Sequence, residues 1–280
     1  MLLDKTLLRD EQYKDAKGYR SRLALLDYAV EKYNLWEWTA GHYDFSQVKT
    51  VLEVGCGTGD FWNSLQANPQ AFDEILLTDF SEGMLNTARE TLAHSPFHEK
   101  IKFEVADVEA LSYPDKKFDV VLAHLMLYHP KSPKQALSEI SRVLKKEGWV
   151  GITTFNLPVQ QREIWVLANK IDTRFPDYAV TIETFDEKIA DKLLPEYFAR
   201  ILKYNDEVVV KVPKSEILVD LMRHHPVSQM LELKEDFFTA FQIEAEKIIT
   251  RDGFFKTVFT PTLYICKGNA HEAHKGAIKL

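Results

Sequence analysis

The chain has 280 residues and a formal net charge of −7, with 45% hydrophobic and 12% aromatic residues. That supplies core material for one large domain, or for a domain with a substantial insertion. The acidic balance argues against a stable complex with nucleic acid, which needs a basic footprint, and no apolar run approaches the ~20 residues of a membrane span.

Residues 1–45 read as helical and aromatic, with Leu23, Leu26, Val30 and Tyr33 at helical spacing. Tyr13, Tyr19, Arg20 and Arg22 precede a second aromatic group of Trp36, Trp38 and Tyr43. From Thr50 to Thr154 strand and helix patterns alternate, the signature of a parallel sheet with crossover helices. Val51, Leu52 and Val54 form a short strand, and Ile75–Thr78 a second one that ends at Asp79. Ser81 can cap the next helix, whose inner face carries Met84, Leu85, Ala88 and Leu92. Ile101, Phe103 and Val105 alternate before Asp107, and Phe118–Ala123 is an apolar strand. Asp115 and Asp119 read as turn residues. Ser132, Pro133 and Gln135 then spell a capping box for a helix with Leu137, Ile140 and Leu144 buried; Lys145 and Lys146 fall in its last turn and Gly148 ends it. Trp149–Thr154 follows as a strand.

Beyond Phe155 the pattern loosens. Two helices are expected in 157–197 around Phe175-Pro176-Asp177, and one bent strand or a hairpin over 200–212. Amphipathic helices are expected over 214–224 and about 229–250, separated by Pro226, and a last strand over Val258–Cys266 with Pro261 at an edge or bend.

The most informative stretch is VLEVGCGTGD, residues 51–60. A strand that runs into Gly55, Gly57 and Gly59 lets the backbone approach a ligand closely. The dinucleotide fingerprint G-x-G-x-x-G fits Gly55 and Gly57, but its third place falls on Asp60, where an acid would face a pyrophosphate. A ligand with a cationic end suits this loop better. Asp79 at the end of the second strand offers a carboxylate that can accept hydrogen bonds from ribose hydroxyls; nicotinamide enzymes carry such an acid too, and a surface or capping acid is the plain alternative. Ala106-Asp107-Val108 after the third strand and AHLMLYHP (123–130) after the fourth complete the series. His129 precedes Pro130 and either ends a loop or serves as a general base.

Glu-x-Gly-x-Gly-x-Gly at 53–59 resembles motif I of the class I S-adenosylmethionine-dependent methyltransferases, and the resemblance runs in order through residues 48–155, roughly. It extends to ISRVLKKEGWVGITT (140–154), similar to the Arg-x-Leu-Lys-Pro-Gly-Gly segment of small-molecule methyltransferases of the ubiquinone/menaquinone type, with only Gly148 kept of its turn. The resemblance implies S-adenosyl-L-methionine as cofactor. It sets Gly55, Cys56, Gly57 and Gly59 around the methionine moiety, with Glu53 beneath the loop compensating positive charge. Asp79 then holds the ribose, Phe80 and Met84 flank the adenine, and Asp107, beside Val108, accepts from its amino group. His124 contacts the cofactor, and Tyr128 and His129 meet the substrate as the catalytic pair. An arginine of the N-terminal segment, Arg22, pairs with the cofactor carboxylate, the alternative being a solvated surface helix. The Asn/Asp-Pro-Pro-aromatic motif of nucleic-acid amino methyltransferases is absent.

The expected fold is α/β: a Rossmann-like, mostly parallel seven-stranded sheet with flanking helices, a helical N-terminal cap and a helical insertion before the last strand. Its divisions are 1–45 (cap), 46–156 (cofactor-binding core), 157–268 (remaining strands and a helical acceptor-site insertion) and 269–280 (tail). The expected activity is methyl transfer to a small organic acceptor by in-line displacement. A non-catalytic binding module and a nicotinamide-dependent oxidoreductase are the alternatives. No metal site is expected, since His224 and His225 are adjacent and cannot both face one ion from a helix. Neither nucleic-acid nor membrane partners are expected, and the protein is taken as a monomer or homodimer. Cys56 and Cys266, in a chain without secretory features, suggest reduced thiols and a cytoplasmic protein.

Overall fold

The computed structural model describes residues 20–21, 23–175 and 185–270. Its first elements are a 3₁₀ turn over Ala24–Tyr28 and a short helix, α1 (Leu35–Ala40). The side chain of Asn34 caps α1 by accepting from the N–H groups of Trp36 and Glu37. The helical stripe expected through Val30 does not form. Ala29 turns extended and bridges Val210, the Val30 N–H donates to the Val209 carbonyl, and Val30 is 55% exposed. A helix restricts the χ1 of a β-branched residue, and the extended backbone here pairs across to Val209 instead.

The core follows in strict alternation: β1 (Thr50–Val54), α2 (Asp60–Ser64), β2 (Glu74–Asp79), α3 (Glu82–Thr91), β3 (Ile101–Val105), β4 (Phe118–His124), α4 (Pro133–Val143) and β5 (Leu144–Phe155). After it come α5 (Arg162–Ile171), α6 (Glu187–Tyr197), β6 (Phe198–Asn205), β7 (Val208–Val212), α7 (Ser215–Arg223), α8 (Pro226–Met230), α9 (Glu235–Asp252), β8 (Phe255–Phe259) and β9 (Pro261–Asn269). The main sheet has seven strands in the order β3-β2-β1-β4-β5-β9-β6. The first five are parallel; β9 is antiparallel to both its neighbours. Chain reversal on either side of β1 puts the carboxyl ends of β1 and β4 at a topological switch point, where open α/β sheets hold ligands. Alternate residues feed opposite faces: Val51, Ile75 and Val120 join one apolar cluster, and Leu52, Leu76 and Val121 the other.

The expectations for 200–212 and for Val258–Cys266 change in an instructive way. Each segment is two strands in two sheets. β6 pairs with β9 in the main sheet, while β7 pairs with β8 in a separate two-stranded ladder. The two segments thus form one antiparallel ribbon that bends where Asp206 faces Pro261. The Asp206 N–H donates to the Pro261 carbonyl at 3.1 Å. The Thr260 N–H, lost to either ladder, donates instead to the buried Gln160 Oε1 at 2.6 Å. Pro261 occupies the first position of β9, where a missing N–H costs no ladder bond. Helices α7, α8 and α9 are inserted between β7 and β8, before the last strand.

Two local readings are also corrected. Helix α4 stops at Val143, and Lys145 lies in the irregular start of β5, where its Nζ bonds Asp119 at 2.8 Å. Asp119 belongs to β4, not to a turn, and accepts from the N–H groups of Lys49 and Thr50. The capping box is half formed. Ser132 accepts from the Gln135 N–H, but the Gln135 amide donates to the Glu109 carbonyl and the Ser132 N–H to the Glu109 carboxylate.

Candidate active site

All three loop glycines take positive φ: 66° at Gly55, 57° at Gly57 and 77° at Gly59. At Gly55 no side chain fits, because a Cβ would come within 2.7 Å of Met126 Cβ. The loop turns the chain from β1 into α2 and leaves its backbone facing a cleft of about 1020 Å³, open mouth included. The Gly57 N–H donates to Asp79 Oδ2 at 3.0 Å and the Ser81 N–H to Asp79 Oδ1 at 2.8 Å. Each Asp79 oxygen keeps a lone pair for a further donor. Burial, only partly offset by these two bonds, pushes the Asp79 carboxyl up to about 6.

Glu53, expected beneath the loop, is buried there and both its oxygens are engaged. Trp62 Nε1 donates to Oε2 at 2.6 Å, and His124 Nδ1 lies 2.8 Å from Oε1. His124 Nε2 in turn meets the Tyr43 hydroxyl at 3.0 Å. Asp107 accepts from the Glu109 N–H at 3.0 Å at the head of the segment after β3. Asp60 opens α2 and accepts from the Thr58 hydroxyl at 2.6 Å. The buried Cys56 thiol is pushed well up by burial and then by Asp79 and Glu53, so it stays protonated.

The cleft gathers twelve sequence-derived residues, counting from the glycine loop outward: Glu53, Gly55, Cys56, Gly57 and Asp79; Phe80, Met84, Asp107 and Val108; and His124, Tyr128 and His129. Gly59 is not among the lining residues; it serves as the left-handed N-cap of α2. Arg22, with Tyr13, Tyr19 and Tyr178, lies outside the described residues. Trp36, Phe61, Ser81 and Met126 also line the cleft; the sequence marks Trp36 in the aromatic group of the N-terminal cap and Ser81 as a helix cap, but none of the four as a cofactor-binding residue. Phe61 adjoins the glycine loop, a signal that was available; Trp36 comes from α1, in the N-terminal segment expected to close over the cofactor. The lining includes four carboxylates (Glu53, Asp60, Asp79 and Asp107) and, among the described residues, no lysine or arginine.

The insertion expected to wall an acceptor pocket does otherwise in its described part. No residue after Pro130 lines the cleft among those described. Phe175, Phe237 and Phe241 stack on one another, with centroids 5.1 and 6.0 Å apart, and Met222 is buried with them; Phe185 is buried in the cluster on the other face of the sheet, and Met230 is 37% exposed.

Residues 52–152 match the family model described as a methyltransferase domain. The ubiquinone/menaquinone biosynthesis C-methyltransferase UbiE of Geobacter sulfurreducens is 36% identical over 114 residues, covering 41% of this chain and 44% of its own. The demethylmenaquinone methyltransferase of Bacteroides fragilis is 31% identical over 123 residues, or 43% of this chain and 50% of its own. The chain thus spans about half the length of the curated relatives it matches. Among solved structures, the YcgJ protein of Bacillus subtilis has the same fold, with a TM-score of 0.56 at 13% identity over 83% of this chain and 97% of its own. Residues 52–152 thus carry a methyltransferase domain, and its strand order, acid-tipped strands and glycine loop are similar to those of the class I S-adenosylmethionine-dependent methyltransferases.

Proposed function

We propose that this protein transfers the methyl group of S-adenosyl-L-methionine to a small organic acceptor held against Tyr128 and His129. The observation that carries the reading is the convergence of four carboxylates and a glycine loop on one cleft with no lysine or arginine among its described lining. That charge suits a ligand with a sulfonium and an ammonium, and it opposes the pyrophosphate of a nicotinamide dinucleotide. When bound, the cofactor would supply an electrophilic methyl carbon on positively charged sulfur; an electron pair of the acceptor would bond to that carbon in line as the C–S bond breaks and its pair stays on the neutral thioether.

The chain's own residues bind, orient and exclude water. Asp79 accepts from the ribose hydroxyls with its remaining lone pairs, and Asp107 from the adenine amino group, with Phe80, Met84 and Val108 as apolar walls. The backbone of Gly55, Cys56 and Gly57 faces the methionine end, with Glu53 and His124 below it and Arg22 as counter-charge for the carboxylate. His129 takes the proton released by an oxygen or nitrogen acceptor, and Tyr128 orients it. The acidic cleft favours neutral or cationic acceptors. The names of the Geobacter and Bacteroides relatives make hydroquinone-like phenols the first to try.

Titration calorimetry with S-adenosylmethionine, its demethylated product and the nicotinamide dinucleotides tests the cofactor. Micromolar binding of the first two, about −8 kcal/mol, is expected, and tighter binding of a dinucleotide would end the reading. Methyl transfer across phenols, amines and carboxylates, run against bulk RNA and protein, tests the acceptor; labelling confined to RNA or protein overturns a small-molecule acceptor.

A further inference from the structure

Four side chains from separate parts of the sequence form one hydrogen-bonded line under the cleft: Trp62, Glu53, His124 and Tyr43. Hydrogen-bond accounting gives the line a direction. Trp62 Nε1 only donates, so Glu53 Oε2 accepts. The Tyr43 hydroxyl has His124 Nε2 as its one partner among the described residues. Burial, reinforced by the Glu53 charge, holds the Tyr43 phenol well above its ordinary value, so it keeps its proton and must give it to an acceptor. That acceptor is the Nε2 lone pair. The imidazole proton then sits on Nδ1 and points at Glu53 Oε1. In this arrangement His124 accepts at Nε2 and donates from Nδ1, and Glu53 receives two donors.

Tyr43 is held in place for this. Its ring packs 4.8 Å from Trp149 and 5.9 Å from His124, and its hydroxyl lies against Gly151 of β5, where a Cβ would collide with it. Trp36 of α1 and Phe61 of α2 flank the imidazole with uncharged rings, at 5.7 and 4.6 Å, and Thr153 is its register partner on β5. Among the described residues, the other titratable groups near the line or in the same cleft are the thiols of Cys56 and Cys266, both kept protonated by burial, the carboxylates of Asp79, Asp60 and Asp107, and the imidazole of His129.

We propose that Tyr43 is a positioning residue which, by donating to His124, keeps the imidazole neutral and leaves the Glu53 charge uncancelled, so that the cleft holds the cationic S-adenosylmethionine more tightly, relative to its neutral-sulfur product, than it would without this hydroxyl. This rests on the methyltransferase reading above. The charge difference between the two ligands is the sulfonium alone, so the device acts on product release without touching the acceptor.

The test is the ratio of affinities for S-adenosylmethionine and S-adenosylhomocysteine, measured by calorimetry between about pH 6 and 8. Asp79 titrates in the same range but meets the ribose of both ligands, so it drops out of the ratio. In Tyr43→Phe, Nε2 loses its donor and its lone pair becomes open to a proton, and an imidazolium there would cancel Glu53. The ratio should fall by roughly tenfold near pH 6 relative to the unaltered protein, with the product's own affinity changing less than about twofold. In His124→Asn the amide still donates to Glu53 but cannot titrate, and the ratio should stay flat with pH. A Tyr43→Phe ratio equal to that of the unaltered protein, or an equal loss of both ligands, overturns the proposal. Should Tyr43→Phe fail to fold, ¹⁵N NMR of the full chain decides: a neutral His124 with its proton on Nδ1 at pH 7 supports the proposal, and an imidazolium overturns it. An unaltered protein that binds neither ligand refutes the methyltransferase reading itself.

Discussion

In residues 50–130 the polar groups collect at the carboxyl ends of β1 to β4 and face a shared cleft, while in residues 156–259 the large aromatic groups face one another. Asp79 spends both oxygens on backbone N–H groups and still points lone pairs at open space. Phe175, Phe237 and Phe241 spend their surfaces on mutual contact around the β7/β8 ladder. The first region bears the cost of a buried, ionisable acid to keep a binding surface; the second, in its described part, spends its large aromatic groups on apolar burial. Chemistry and stability are therefore expected to separate along the chain, and substitutions can break that separation or sharpen it.

His129→Ala should lower turnover by roughly 10²–10⁴-fold, the range for losing a general base, while cofactor affinity and melting temperature stay close to their original values. Parallel loss of cofactor binding, read by calorimetry, would make His129 part of the cofactor site instead. Phe241→Ala lies on the other side of the comparison. Phe241 is fully buried, and its truncation should cost about 3–5 kcal/mol of unfolding free energy in denaturant titration. Cofactor affinity of the folded fraction should not change; a drop there would show that the helical region reaches the cleft.

Asp79→Ala should weaken S-adenosylmethionine by about 1.5–3 kcal/mol, the scale for losing hydrogen bonds to a charged group, and leave the ligand-free protein at least as stable. The sign follows from its raised carboxyl. Folding lifts it from 3.8 to about 6, so the folded state takes up a proton between those values and the ionised acid is a burden above them. An early melt with unchanged affinity would make Asp79 structural. The smallest effect is that of pH. Ribose hydroxyls need the ionised acid, so affinity should be level above about pH 6 and fall about tenfold by pH 5. Asp79→Asn should flatten that profile, which calorimetry in matched buffers can follow.

The region that the sequence describes well is the one where each function sits beside its own strand. Glu53, Asp79 and Asp107 each follow an apolar run directly, so their place at strand ends could be read one segment at a time. Tyr43 stands 81 residues from its partner His124, and no local pattern ties the two. The ribbon failed for a related reason. Val208–Val212 and Phe255–Phe259 follow or precede β6 and β9 with only one or two residues between, and a strand pattern fixes which face a residue takes but not which sheet it joins. Only the placement of Thr260 by Gln160 and Asn156 settles the bend. Val30 was drawn to the backbone of Val209, again a partner far away in sequence.

The place of β9 in the sheet bears on how the protein is made. It lies between β5 and β6, yet it is synthesised after both. Until it emerges from the ribosome, β5 presents Val150 and Ile152 beside a row of unpaired backbone groups, and β6 has no sheet to join. The nascent chain therefore carries a sticky edge through the synthesis of more than 100 intervening residues, from Phe155 to Pro261, and this interval is when the chain depends most on chaperones.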